Sequence, residues 1–164
     1  MWRRLFVLIC TLAMAAGGAG DAALDRATLR GIKAVHVVMD PVAPEIENEG
    51  VTAEALRTRL EDLLSRGGIA IDPASAEFVA LRFTSVRAAR GPFALAATIG
   101  LYQPVTLVRD GNIRTATQTW EVETVMLADA KQVNRACLES VDELAGRFES
   151  AYRSANAPSR AANK

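Results

Sequence analysis

The sequence predicts a two-layer α/β (α+β) domain: a mixed sheet of about five strands, in the order β-α-β-β-β-β-α, with its helices mainly on one face. Three observations predict it. Apolar and polar residues alternate through 78–86 and 93–101, as strands wetted on one side do. Two other segments, after Thr52 and after Asp129, repeat their apolar residues at helical spacing. A Gly67-Gly68 pair separates the first of these helices from a short apolar run, the arrangement of a strand, crossover helix, strand unit.

Residues Ile32 to Met39 (IKAVHVVM) are β-branched and apolar and end at Asp40-Pro41, which gives a buried strand followed by a loop. That loop runs to Gly50, with Pro41, Pro44 and the spaced acids Glu45, Glu47 and Glu49. Thr52 is a helix N-cap, and Val51 stands where a hydrophobic staple to Leu56 forms. Leu56, Leu60, Leu63 and Leu64 make the buried stripe, and the glycine pair stops the helix. Ile69 to Ile71 is the next strand, expected to pair in parallel with the first.

In Phe78 to Val86, Val79, Leu81 and Phe83 share one side, with Arg82 and Thr84 on the other. Gly91-Pro92 turns the chain, and Phe93, Leu95, Ala97, Ile99 and Leu101 continue the inward set. Pro104 interrupts the ladder and marks an edge or bulge. Asp110-Gly111-Asn112 predicts a hairpin turn, with Ile113 to Met126 as the return strand and Trp120 as a core anchor beside Val122. Asp129 is the expected cap of a last helix striped by Val133, Cys137, Val141 (or Ser140), Leu144, Phe148 and Tyr152. With both helices on one side, the other sheet face is left for solvent or for contact.

The first 22 residues have a different character. Arg3 and Arg4 precede an apolar run from Leu5 to Ala16, broken by Thr11, and then small residues. These are the n-region, h-region and cleavage zone of a signal peptide. The run is shorter than the about 20 residues that cross a membrane. Cuts with small residues at −3 and −1 follow Ala15, Ala19 and Ala22, the last two being preferred. Cys10 sits inside the apolar run after Val7-Leu8-Ile9, which does not suit lipid attachment. The expected organisation is therefore a signal peptide at 1–22, a single domain at 23–155 and a disordered tail at 156–164, with the body periplasmic or extracellular.

Loss of Arg3, Arg4 and Asp21 with the leader turns 19 basic and 19 acidic residues into a net charge of −1. Such a body has no electrostatic attraction for nucleic acid or an anionic membrane surface. Cys137 would be its one cysteine, so no internal disulfide forms.

The layout resembles the N-terminal domain of TolB and the related envelope modules of the LpoB and CsgG kind. It is also similar to a group of uncharacterised secreted bacterial proteins that share a Gly-Val/Leu-Thr helix start, a Gly-Ile strand after the helix and a Thr-Trp in a late strand. The matching residues are Gly50-Val51-Thr52, Gly68-Ile69 and Thr119-Trp120. The resemblance implies an exported domain that works through protein contacts, with another envelope protein as partner and no catalytic residues. LpoB-like and CsgG-like proteins carry a lipid-attachment cysteine, from which this chain departs.

No catalytic, cofactor-binding or metal residue is assigned. His36 and Cys137 are formally a nucleophile pair. Packing is the plainer account of both: a core cysteine beside a hydrogen-bonded histidine. Asp40, Glu45, Glu47 and Glu49 match no calcium-loop spacing and read as a solvated acidic loop. One His and one Cys cannot build a zinc site. Arg82, Arg87 and Arg90, with Arg109 and Arg114 at the other turn, read as a wet sheet face, and the small residues Ala94, Ala96, Thr98 and Gly100 as a strip packed under a helix. The leading expectation is a non-enzymatic binding or adaptor module. Two competing classes are a small hydrolase or lyase using carboxylates such as Asp40 and Glu121, and a self-assembling subunit using the Pro104 edge.

Overall fold

A computed structural model of the chain describes residues 20–87, 89 and 91–158. Most of the expected leader (1–19), Arg90 and the end of the expected tail (159–164) lie outside the described residues. The elements run α1 (Ala23–Ala27), β1 (Ala34–Met39), α2 (Pro44–Glu47), α3 (Ala53–Arg66), β2 (Ala70–Ile71), β3 (Phe78–Arg87), β4 (Phe93–Leu107), β5 (Asp110–Ala128), a 3-10 turn (Ala130–Gln132) and α4 (Val133–Asn156). The five strands form one mixed sheet ordered β2-β1-β3-β4-β5. β1 is parallel to both β2 and β3, while β3, β4 and β5 are antiparallel neighbours. The two-layer fold predicted from the sequence is the one observed.

α3 begins as its residues dictate. The Thr52 hydroxyl accepts the Ala55 N–H at 3.2 Å, and Val51 is buried beside the helix it staples. At the other end Gly68 takes φ +86°, Ile69 N–H reaches Leu64 O at 3.0 Å, and Gly68 N–H reaches Ser65 O at 3.0 Å. That is a Schellman stop with its usual apolar contact, since Leu64 and Ile69 are both buried.

α3 and α4 lie together on one sheet face, where they bury Val35, Val37, Val79, Leu81, Leu95, Ile99 and Val122. Trp120 lies edge-on to Phe148 of α4, with ring centroids 5.1 Å apart, and is the largest buried side chain among the described residues. α4 runs on to Asn156, whose side chain accepts the Gly31 N–H and donates to Leu29 O and Tyr152 O. Tyr152 donates to Ile32 O at 2.9 Å, so the helix end clamps the turn that leads into β1.

Five local expectations are corrected. The stretch from Pro41 to Gly50 is not all loop: Pro44 opens the short α2, which buries Ile46, a proline at the first helical position costing no hydrogen bond. The hairpin turn lies at Val108 and Arg109 rather than at Asp110-Gly111-Asn112. Leu107 pairs with Asp110 and Thr106 with Arg114, so Gly111 to Ile113 form a bulge on the return strand. The Asp129 side chain makes no cap; its carbonyl accepts the Gln132 N–H at 2.8 Å to open the 3-10 turn instead. The other two concern the open sheet face and His36, described below.

Candidate contact surface

The sheet's outer face is set by the same alternation that fills the core. Phe93, Leu95, Ala97, Ile99 and Leu101 of β4 point under the helices, so Ala94, Ala96, Thr98 and Gly100 point away from them. The expectation that this small-residue strip packs under a helix is therefore wrong, because both long helices already occupy the other side. Register assembles the strip into rows: Val86, Ala94 and Leu127 in one, Thr84, Ala96 and Val125 in the next, then Arg82, Thr98 and Glu123. Val86, Val125 and Leu127 are 67%, 68% and 74% exposed, so one corner of the open face is an apolar patch around small residues. Beyond the charged row, Phe78 stacks on Tyr102 with ring centroids 4.9 Å apart.

The outer edge of β5 borders that patch, and contacts cover it between Thr119 and Glu123. Gly20 O accepts the Glu121 N–H at 3.0 Å, Thr28 Oγ1 approaches Thr119 O at 3.3 Å, and Arg147 Nη1 donates to Glu123 O at 2.8 Å. Val125 and Leu127 continue the same backbone phase, and among the described residues no hydrogen bond reaches their outward peptide groups. A cleft of about 290 Å³ opens beside them, walled by Thr124, Met126 and Ala128 of the strand and by Arg135, Glu139 and Glu143 of α4. An unpaired strand edge next to exposed apolar side chains is what β-strand addition requires.

The residues singled out from the sequence fall elsewhere. Cys137 is fully buried on the helix side, and burial pushes its thiol up to about 11, so it stays protonated at neutral pH. His36 lies between the inward Val35 and Val37 and so faces away from Cys137, half-buried at a cleft with Val38, Ala53, Glu54 and Arg57. The expected pairing of a core cysteine with a neighbouring histidine is thus corrected by strand parity.

The acids after β1 take separate partners on β3: Asp40 with Arg82 at 2.7 Å, Glu45 with Ser85 Oγ at 2.6 Å, and Glu49 with Arg87 at 3.7 Å. Arg87 also lies over the Phe93 ring at 4.4 Å. Glu121 stands by Gln118 and Gly20, in a different cleft from His36. His36, Asp40 and Glu121 are not brought into one concave site. Among the described residues, no three His, Cys, Asp or Glu side chains gather as a metal-binding group. Arg109 and Arg114 are exposed near the tip of the β4–β5 ribbon, which projects past the end of β3 from Gln103 onward. Pro104 lies in that two-stranded part, where, among the described residues, one side of β4 has no neighbour to receive an N–H.

The sequence reading missed two features of this surface. Val125-Met126-Leu127-Ala128 breaks the alternation with four apolar residues in a row, which signals a strand apolar on both faces. The other is Asp21, whose Oδ1 accepts the Trp120 Nε1–H at 2.7 Å while both oxygens take the Arg26 fork at 2.8 and 2.6 Å. Arg26 first, and then Trp120, hold the Asp21 carboxyl below its usual range against the opposing effect of burial.

No family profile matches the chain, and no curated protein matches it in sequence. Solved structures of similar layout include a PelC dodecamer from Paraburkholderia phytofirmans, 12% identical over 73% of this chain and 88% of that one, with a TM-score of 0.43. A minor lipoprotein from Acinetobacter baumannii is 14% identical over 76% and 93%, with a TM-score of 0.35. A protein from Caulobacter crescentus is 14% identical over 81% and 94%, with a TM-score of 0.36. Identities and scores this low transfer no role to the chain. Among the described residues, no helix is long and apolar enough to cross a membrane.

Proposed function

We propose that this chain is an exported, non-enzymatic binding or adaptor module of the bacterial cell envelope, working in the periplasm or outside the cell. It contacts another envelope protein through the corner where the open sheet face meets the bare end of β5. The observation that carries the reading is the coincidence of exposed Val86, Val125 and Leu127 with unpaired backbone at Val125 and Leu127. The leader-like first residues and the TolB-like order of elements support the compartment and the class of partner.

Placing a photo-crosslinking residue at position 127, and a control at the exposed Val108 of the hairpin tip, tests this in intact cells. The expected result is a discrete adduct from 127 that Val125→Lys abolishes and that 108 does not give. A folded, exported chain giving no adduct at 127 would overturn the reading. An adduct of twice the chain's own mass would replace it with self-association.

A further inference from the structure

We infer that the leader is cut at the Ala19–Gly20 bond, so that the folded body starts at Gly20 and keeps Asp21. The inference rests on the export reading above and adds the bond that the sequence leaves open, since Gly17/Ala19 and Gly20/Ala22 suit a leader peptidase equally well.

The fold separates the two. Gly20 has φ +97°, and a Cβ there would lie 2.9 Å from Glu121 O, so the position accepts glycine alone and holds it against the edge of β5. Asp21 is 11% exposed and takes the N–H of Trp120, which is itself 1% exposed. A cut after Ala22 would remove both residues. It would leave a buried indole N–H without its acceptor, an unpaired Glu121 N–H on the edge, and the Arg26 fork empty. A cut after Ala19 keeps every one of these bonds.

Hydrolysis there adds water across the amide. The C–N bond breaks, the water's oxygen stays on the Ala19 carbonyl carbon, which leaves with the leader as a carboxylate, and both of the water's protons end on the Gly20 nitrogen as an ammonium. The new cation lies at a cleft of about 220 Å³ lined by Asp25, Gln118, Thr119 and Glu121, two of them carboxylates.

The test is to express the full chain with its own leader in a Gram-negative host and to determine the exported product's intact mass and N-terminal sequence. The expected start is Gly-Asp-Ala-Ala-Leu, unchanged in Ala22→Leu and lost in Ala19→Leu. A start at Ala23 or Ala16, or loss of processing in Ala22→Leu, would overturn the assigned bond while leaving export intact. A chain beginning at Met1 in every fraction would overturn the export reading as well.

Discussion

The two faces of the sheet are built from the same five strands, yet they have opposite fates. On the helix side, the alternate residues of β3 and β4 from Val79 to Phe83 and from Phe93 to Leu101 are buried, and Trp120 is locked between Phe148 and Asp21. On the other side, Val86, Val125 and Leu127 are as apolar as their buried neighbours but stand mostly in solvent. Residue type does not separate the two sets. What separates them is that α3 and α4 both lie on one side, so an apolar side chain stabilises the fold on one face and is left over on the other.

The comparison breaks hardest at Trp120. Replacing it with alanine removes the largest side chain of the covered face and its edge-on contact with Phe148. The expected loss is about 3–5 kcal/mol in denaturant unfolding, a large share of the ~5–15 kcal/mol that holds a domain of this size. Trp120→Phe keeps most of the ring and gives up the N–H, so it should cost far less. A near-equal cost for both would place the stabilisation in the Asp21 bond rather than in packing.

Asp21→Ala is the next largest. It leaves the Trp120 N–H buried without an acceptor, at an expected cost of about 1–3 kcal/mol. The same carboxylate gives a pH signature. Its folded value lies below the ordinary 3.8, so the stability it adds is whole above that value and is lost as pH falls from there through the lowered folded value. Asp21→Asn keeps an oxygen to accept from Trp120 but cannot ionise. Its unfolding free energy should therefore fall less steeply on acidification than that of the parent chain. A residual slope should remain from Asp142, which Arg59 holds down in the same way. Parallel slopes in the two proteins would show that Arg26 and Trp120 together do not favour the charged carboxylate in the folded state.

Legibility follows the same division. Every element that buries a periodic stripe could be read directly: the Leu56, Leu60, Leu64 helix, the Phe93 to Leu101 alternation, and the Val133 to Phe148 stripe. Their pattern is a direct image of burial. The small strip could not be assigned to a face, because alanine and glycine suit a helix contact and an open surface equally. Only the side taken by α3 and α4 decides that, and it is a tertiary fact. His36 and Cys137 both lie in apolar segments and so read as one core, although strand parity puts the histidine on the other face. The hairpin turn is not legible because Gly-Asn suits the Gly111 to Ile113 bulge as well as it suits a turn. Asp21 was out of reach for a different reason: its partner is 99 residues away and no local pattern announces it.

The smallest stability effect is the most telling for function. Leu127→Lys puts a charge on the open corner, where the side chain is already 74% exposed. Unfolding should shift by no more than about 0.5 kcal/mol, since little apolar surface leaves a buried environment. The lysine stem can still lie along Ala94 and Val86 with its ammonium in water. If the corner serves only as a solvated face, the variant should behave like the parent in every assay. If it is the contact surface, the same substitution should abolish the adduct formed from a photo-crosslinking residue at position 125 while leaving the unfolding midpoint in place. A loss of stability well above 0.5 kcal/mol would mean instead that Leu127 holds the fold together, and the distinction between the two faces would fail at that corner.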